Sequence, residues 1–252
     1  MSLTTSSPID HCKVSRKLTV NIHHHTPNVR PIIKGAFKEA SNSLTEAYLK
    51  DNIMGWCVQG LEQKKHYEFL YTLFKHMINE SSLQSRDFAL QVDGCKGILI
   101  WTNNPNSSPW PRVLSTIKLA RLIGWAAAIR TVTKVGPSCD KLKRKIMADH
   151  PQYITIGHVG VLPQEQHKGY GSALVHYVLD KADNAKHPVY VEVSDPVSVK
   201  FFEQFGFKVQ GTVFIANRAE LPVSIMVRLP AVSGTPERLH IRPGRRDSDN
   251  SF

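Results

Sequence analysis

Hydrophobic residues recur along this chain in two rhythms, and the switch between them marks out its elements. Tyr67, Leu70, Tyr71, Phe74, Met77 and Ile78 fall at i, i+3, i+4, i+7, i+10 and i+11, one face of a helix. Phe88, Leu90 and Val92 then alternate with the small Ala89 and the polar Gln91, Asp93-Gly94 supplies a turn, and Ile98-Leu99-Ile100-Trp101 follows. That order predicts a β-hairpin. Upstream, residues 18–24 fit a first strand and residues 27–39 a short helix. The Asn-, Pro- and Ser-rich stretch Asn103–Pro111 reads as a loop. Residues 115–149 read as helix, interrupted near Gly136-Pro137, where proline cannot continue the hydrogen-bond ladder.

The second half is more regular. A strand at 153–161 leads through a glycine-bearing loop into a helix from Gly171, with Leu174, Tyr177, Val178 and Ala182 on one face. A short strand at Val189–Val193, a helix near 196–204 and strands near 207–215 and 223–229 complete the order. The pattern predicts a mixed sheet, antiparallel at the hairpin, with one strand–loop–helix–strand crossover. No Gly/Ser linker or repeat interrupts it. Residues 17–232 therefore read as one domain between loose ends at 1–16 and 233–252.

Composition narrows the class. The 252 residues suffice for a full core, and 41% hydrophobic with 21% charged residues is an ordinary globular balance. The longest apolar run, Leu122–Ile129, falls well short of the roughly 18 residues of a membrane span. Met1–Asp10 lacks the apolar stretch of a signal peptide. Cys12, Cys57, Cys95 and Cys139 are scattered with no CxxC pair, which suits reduced thiols and predicts a cytoplasmic protein, with the nucleus as the alternative. In His23-His24-His25 a strand would put His23 and His25 on one face, but no further ligand spacing follows, so no metal site is assigned.

The net charge is +11, and the tail from Ser233 supplies only +1 of it, four Arg against three acidic residues. The excess sits in the body, notably Lys141-Leu142-Lys143-Arg144-Lys145, which is either a solvated helix face or a surface for an anion. No nucleic-acid motif accompanies it, so neither nucleic acid nor membrane is an expected partner. An anion site does suggest itself at Gln166-His167-Lys168-Gly169-Tyr170-Gly171, between the strand and the helix. Glycines let backbone N–H groups approach a phosphate closely, and the helix N-terminus adds partial positive charge.

With Val159-Gly160-Val161 before it and Ser172-Ala173-Leu174 after it, this loop resembles the acyl-CoA loop of the GNAT superfamily of N-acetyltransferases, Q/R-x-x-G-x-G/A. Val193-Ser194-Asp195 and Phe202-Glu203-Gln204-Phe205-Gly206-Phe207 resemble the superfamily's closing motif: Ser-Asn, a Tyr seven residues on, then Gly-Phe. His150-Pro151, the run Val159–Pro163 and the run Gly97–Thr102 are similar to the puromycin N-acetyltransferase-like branch. The resemblance implies an α/β fold: a mixed, mainly antiparallel central sheet with helices on both faces and a splayed parallel strand pair at the cofactor site. It implies acetyl-CoA as co-substrate, without a metal, held by Val159, Gly160, Val161, Gln166, His167, Lys168, Gly169, Tyr170, Gly171, Ser172, Asp195 and Phe202. It implies transfer to a small-molecule amine by direct attack in a ternary complex. The alternatives are a protein acetyltransferase for lysine or an N-terminus, and a non-catalytic acyl-CoA-binding regulator. Oligomeric state is open.

Two departures bear on the chemistry. Phe202 stands where the motif has Tyr and carries no proton to donate. Asp195 replaces Asn, keeping an acceptor and capping ability but losing the amide donors. His158, Glu192 and Asp195 are the candidates for a base, each with a plainer reading: a buried histidine, a surface ion pair and a helix cap. For His167 and Lys168 the plainer reading is that only their backbones matter.

Overall fold

The computed structural model describes residues 26–104, 136–219 and 221–231. The expected strand at 18–24, the histidine triplet, most of the 103–111 loop, the 115–135 part of the long helix, Cys12 and the tail from Ser233 lie outside the described residues. Seven strands form one sheet: β1 (Val29–Pro31), β2 (Ala89–Val92), β3 (Gly97–Thr102), β4 (Ile154–Val161), β5 (Val189–Val193), β6 (Lys208–Phe214) and β7 (Pro222–Arg228). Their order is β1-β2-β3-β4-β5-β7-β6. Every neighbouring pair is antiparallel except β4 and β5. The expected mixed, mainly antiparallel sheet with one parallel pair is what forms.

Helices cover both faces: α1 (Phe37–Tyr48), α2 (Asn52–Cys57), α3 (Gln63–Gln84), α4 (Gly136–Ile146), α5 (Tyr170–Ala185) and α6 (Pro196–Glu203). On one face, α5 buries Leu174, Val178 and Ala182, as the periodicity predicts, together with Tyr170, Val175 and Leu179; Phe202 of α6 joins this core. The strands contribute Leu90, Leu99, Ile156 and Val191 to the same core. On the other face, α1 and α3 pack on Ala89, Ile98 and Ile100. The stripe read in α3 is slightly off centre, since Phe69 and Leu73 are buried while Tyr67, Tyr71 and Met77 are half-buried. Beside α4, Tyr153, Tyr190, Ile225 and Val227 make a smaller core.

The short helix expected at 27–39 is a correction. Residues 29–31 pair with β2 instead, a single 3-10 turn spans Lys34–Ala36, and the helix runs from Phe37 to Tyr48. Its buried side includes Ser41, Ser43 and Thr45 beside Ala40 and Leu44, so no apolar period announces it. The hydroxyls can be buried because each donates to the carbonyl one turn back: Ser41 to Phe37 at 2.6 Å, Ser43 to Glu39 at 3.1 Å and Thr45 to Ser41 at 2.8 Å.

A polar clasp closes the far end of the sheet. Arg228 of β7 forms a fork on Asp183 of α5 at 2.7 and 2.8 Å and donates through Nε to the Phe205 carbonyl at 3.0 Å. Its hydrogen bonds, with burial opposing them, hold the Asp183 carboxyl below its ordinary range.

Candidate active site

A gap opens between β4 and β5. The two strands pair in parallel only over Ile154–Ile156 and Val189–Val191, while β4 runs on to Val161 along β3. A bulge marks the opening. His158 lies opposite Ile100 and Ile156 opposite Trp101, so Gly157 is an extra residue on β4. It reverses the parity of everything after it. Ile154 and Ile156 face α5, and after the bulge Val159 and Val161 do so too, while His158 turns to the α1–α3 face.

The backbone follows the same parity. The Ile154 N–H donates across to Pro188 beside β5, whereas the Leu162 N–H donates back to Lys96 beside β3, both at 2.9 Å. Counting back from Leu162 assigns the groups of Gly160 and His158 to β3 and turns those of Val159 and Val161 into the gap. Gly160 thus stands apart from the gap-lining residues expected with it. Its Cα faces α1, where an added Cβ would lie 2.8 Å from the Ala47 Cβ.

The loop that follows sits at the open end. A 3-10 turn spans Pro163–Glu165, and His167 (φ 62°) and Gly169 (φ 83°) are both left-handed. Alternation of this kind turns successive N–H groups inward as an anion nest, and Gly169 is also the N-cap of the 16-residue α5. Gly171 lies in the first helical turn, where an added Cβ would meet the Phe201 ring at 3.4 Å. Gln166 reaches back to the Val161 carbonyl at 3.4 Å. Lys168 pairs with Glu165 at 2.9 Å, and the Tyr170 hydroxyl accepts from Lys96 at 3.3 Å. Ser172 continues the first turn of α5.

The remaining candidates divide by face. His158 is 6% exposed and sits edge-on between Tyr48 and Phe74, with ring centroids 5.7 and 5.5 Å away. Glu192 faces opposite to Val191 and Val193, as alternation predicts, but not as a surface residue. It accepts from the Tyr190 hydroxyl at 2.8 Å and from the Cys139 thiol, under α4. Burial first, and then Glu192, push both of those groups well above their ordinary range. Lys143 is buried there too, its ammonium 5.4 Å from the Tyr153 ring and 5.1 Å from the Tyr190 ring. Burial lowers its pKa against the pull of Glu192. One member of the basic cluster is therefore core, not surface. Asp195 caps α6, its Oδ1 accepting from the Val197 and Ser198 N–H groups at 2.9 Å each. Phe202 is 3% exposed and packs on Phe207 with centroids 5.2 Å apart.

Sequence reasoning missed two residues, both at the α1–α2 corner. The Tyr48 hydroxyl donates to the Val159 carbonyl at 3.2 Å. Asp51 accepts from Ser194 of the β5 end at 2.6 Å while its other oxygen caps α2 at the Met54 N–H, 2.8 Å. One corner therefore touches both arms of the gap. The only signal was Asp51 itself, a capping residue ahead of an apolar run. Among the described residues no three His, Cys, Asp or Glu side chains group as a metal site, and no helix is long and apolar enough to cross a membrane.

Residues 84–207 match the family model of the acetyltransferase (GNAT) family. An uncharacterized N-acetyltransferase of Schizosaccharomyces pombe is 22% identical over 209 residues, 80% of this chain and 83% of that protein. A Corynebacterium glutamicum structure described as histone acetyltransferase HPA2 and related acetyltransferase aligns with a TM-score of 0.57 at 17% identity, over 83% of this chain and 99% of its own. A protein of the mosquito Aedes aegypti assigned as arylalkylamine N-acetyltransferase 7 aligns with a TM-score of 0.59 at 12% identity, over 81% and 87%. The gap between two parallel strands, the glycine loop ahead of α5 and the matched segment agree: residues 84–207 are a domain of the acetyltransferase (GNAT) family, and the protein is an N-acetyltransferase of that type.

Proposed function

We propose that this N-acetyltransferase uses acetyl-CoA and acetylates the amine of a small molecule by direct attack in a ternary complex. The observation that carries the reading is the open backbone edge of Val159 and Val161, running from the glycine loop toward the closure at Ile156. The residues present fit coenzyme A. The nest at 167–169 and the α5 N-terminus suit a pyrophosphate, with Gln166 to Ser172 around it and Lys168 adding a cation. The peptide-like pantetheine arm suits strand groups that lack a partner strand. Acetyl-CoA bound there supplies the thioester as electrophile.

The chain's own residues do the rest. The amine enters from the α1–α3 face, where His158 and Glu192 flank the gap, and either takes up its proton directly or through water. Asp195 fixes α6 beside the gap through its cap, and Phe202 gives apolar contact without a proton. Cys139, the thiol against Glu192, is held protonated by burial and by that carboxylate, which argues against an acyl-cysteine carrier. A net charge of +11 disfavours polycationic acceptors such as histone tails. The mosquito neighbour, assigned to arylalkylamines, supports a small amine. The loose similarity to the puromycin branch adds puromycin to the candidates.

Calorimetric titration with acetyl-CoA, then thiol release with tyramine, tryptamine, agmatine, puromycin and a lysine peptide, tests this. Binding with turnover on a small amine is expected. No binding refutes the cofactor assignment, and turnover on the peptide alone refutes the small-molecule acceptor.

A further inference from the structure

We infer that Tyr48 is a catalytic residue whose hydroxyl donates a hydrogen bond to the sulfur leaving the thioester. The inference rests on the acetyltransferase reading above. Its first support is position. An arm held at the glycine loop and lying along the open edge of β4 meets Val161 first and Val159 next. Beyond Val159 the strands close at Ile156 and Val191, so the reacting end lies beside Val159. The Tyr48 hydroxyl is already there, 3.2 Å from the Val159 carbonyl. From α6, on the opposite face, Phe202 offers no hydroxyl.

The second support is rigidity. The Tyr48 ring is fixed between Phe74, at 5.1 Å, and His158, at 5.7 Å. The helix carrying it sits directly on Gly160, and the next turn is fastened to the other arm of the gap through Asp51 and Ser194. Donors held in place before the reaction cost no reorganisation during it, which is why single donors of this kind matter.

The third support is chemical. Burial first, and then the Asp51 carboxylate, hold the phenol above its ordinary range, so it stays protonated at every working pH. A thiol ionises near 8.5, so the phenol keeps its proton and acts as a donor, not as an acid. Its resting bond at 3.2 Å is long for O–H···O, where about 2.7–2.8 Å is usual. Exchange for a thiolate acceptor therefore gains strength. In the step itself the amine nitrogen bonds to the acetyl carbon and the C–S bond breaks. Sulfur leaves with that electron pair, and the proton shed by nitrogen passes to the base and on to solvent. The Tyr48 proton remains on its oxygen throughout.

The test is Tyr48→Phe in the full chain, assayed with acetyl-CoA and the amine that wild type acetylates fastest. We expect kcat to fall about 10²-fold, with acetyl-CoA affinity by calorimetry and Tm at parent values. A Tyr48→Phe/Phe202→Tyr variant, which supplies a hydroxyl from the other face, should recover part of the loss. Unchanged kcat in Tyr48→Phe overturns the inference and leaves the acetyltransferase reading standing. It is also overturned by a fall in kcat that comes with lost affinity or lowered Tm, or that the folded double variant fails to raise. A wild-type chain that does not bind acetyl-CoA sinks the underlying reading instead.

Discussion

Replacing Gly160 with alanine probes the seat of α1 on β4 with a single methyl group. The added Cβ would lie 2.8 Å from the Ala47 Cβ, 3.0 Å from Leu44 Cδ2 and 3.3 Å from Tyr48 Cε2. The leucine methyl can rotate away, but the Ala47 Cβ is fixed to the helix backbone. α1 must therefore retreat until that pair reaches the ~3.5 Å at which carbon contacts become attractive. Overpacking of this kind costs about 1–3 kcal/mol. At about 2–4 °C per kcal/mol for a chain of this size, Tm should fall by roughly 2–12 °C. Tyr48 is adjacent to Ala47, so its 3.2 Å bond to Val159 is broken by the same retreat, and turnover should fall with stability. Two other glycines calibrate the result. Gly171→Ala meets the Phe201 ring at 3.4 Å, a ring that can pivot, and Val161 Cγ2 at an ordinary 3.7 Å, and should leave Tm unchanged. Gly169→Ala meets no atom within 4 Å but occupies a left-handed backbone (φ +83°), at a cost of about 1–2 kcal/mol. Differential scanning calorimetry and thiol release on all three decide it. A Gly160→Ala variant with parent Tm and parent turnover would refute the seating of α1 on which the corner argument depends.

Three further outcomes are expected. A Gly169→Glu/Gly171→Glu variant should lose acetyl-CoA binding by calorimetry while keeping its far-UV circular dichroism, since it brings two carboxylates into the anion nest and the first turn of α5 beside it. Asp195→Ala removes a cap that satisfies two N–H groups and should cost about 1 kcal/mol by urea titration, whereas Asp195→Asn retains the acceptor and most of the stability. The Asp183 carboxyl is held low in the fold by Arg228, so its contribution is fully present above the ordinary carboxylate pKa near 3.9. It is lost as pH falls from there through the lower folded value, and Asp183→Asn should flatten the stability profile in that window.

Much of the architecture is legible because apolar side chains repeat cleanly. The α5 face with Leu174, Val178 and Ala182, the β2–β3 hairpin and the five residues of β5 all form where their patterns predict. The glycine loop is legible for the same reason that it works, since a phosphate nest leaves its constraints in the residue types. The α1–α2 corner is not legible. Its buried hydroxyls satisfy themselves locally, so burial there does not register as hydrophobicity, and Tyr48 looks like any half-buried aromatic. Nor could the faces of His158 and Gly160 be read, because they depend on one bulged residue. Glu192 was assigned to the right side of its strand but to the wrong medium, because α4, which covers it, is distant in sequence.

The bulge at Gly157 behaves like a reading-frame shift written in space. Residues up to Ile156 obey one frame, in which even numbers serve the core under α5. From Val159 onward odd numbers do so, and the same backbone step that moves a side chain also releases two peptide groups from the sheet. Deleting this one glycine would restore a continuous alternation, leave His158 on the α1–α3 face, and let Val159 go on along β5 where Ile156 now stops. The chain would keep the residues of its site while losing the opening that makes them one.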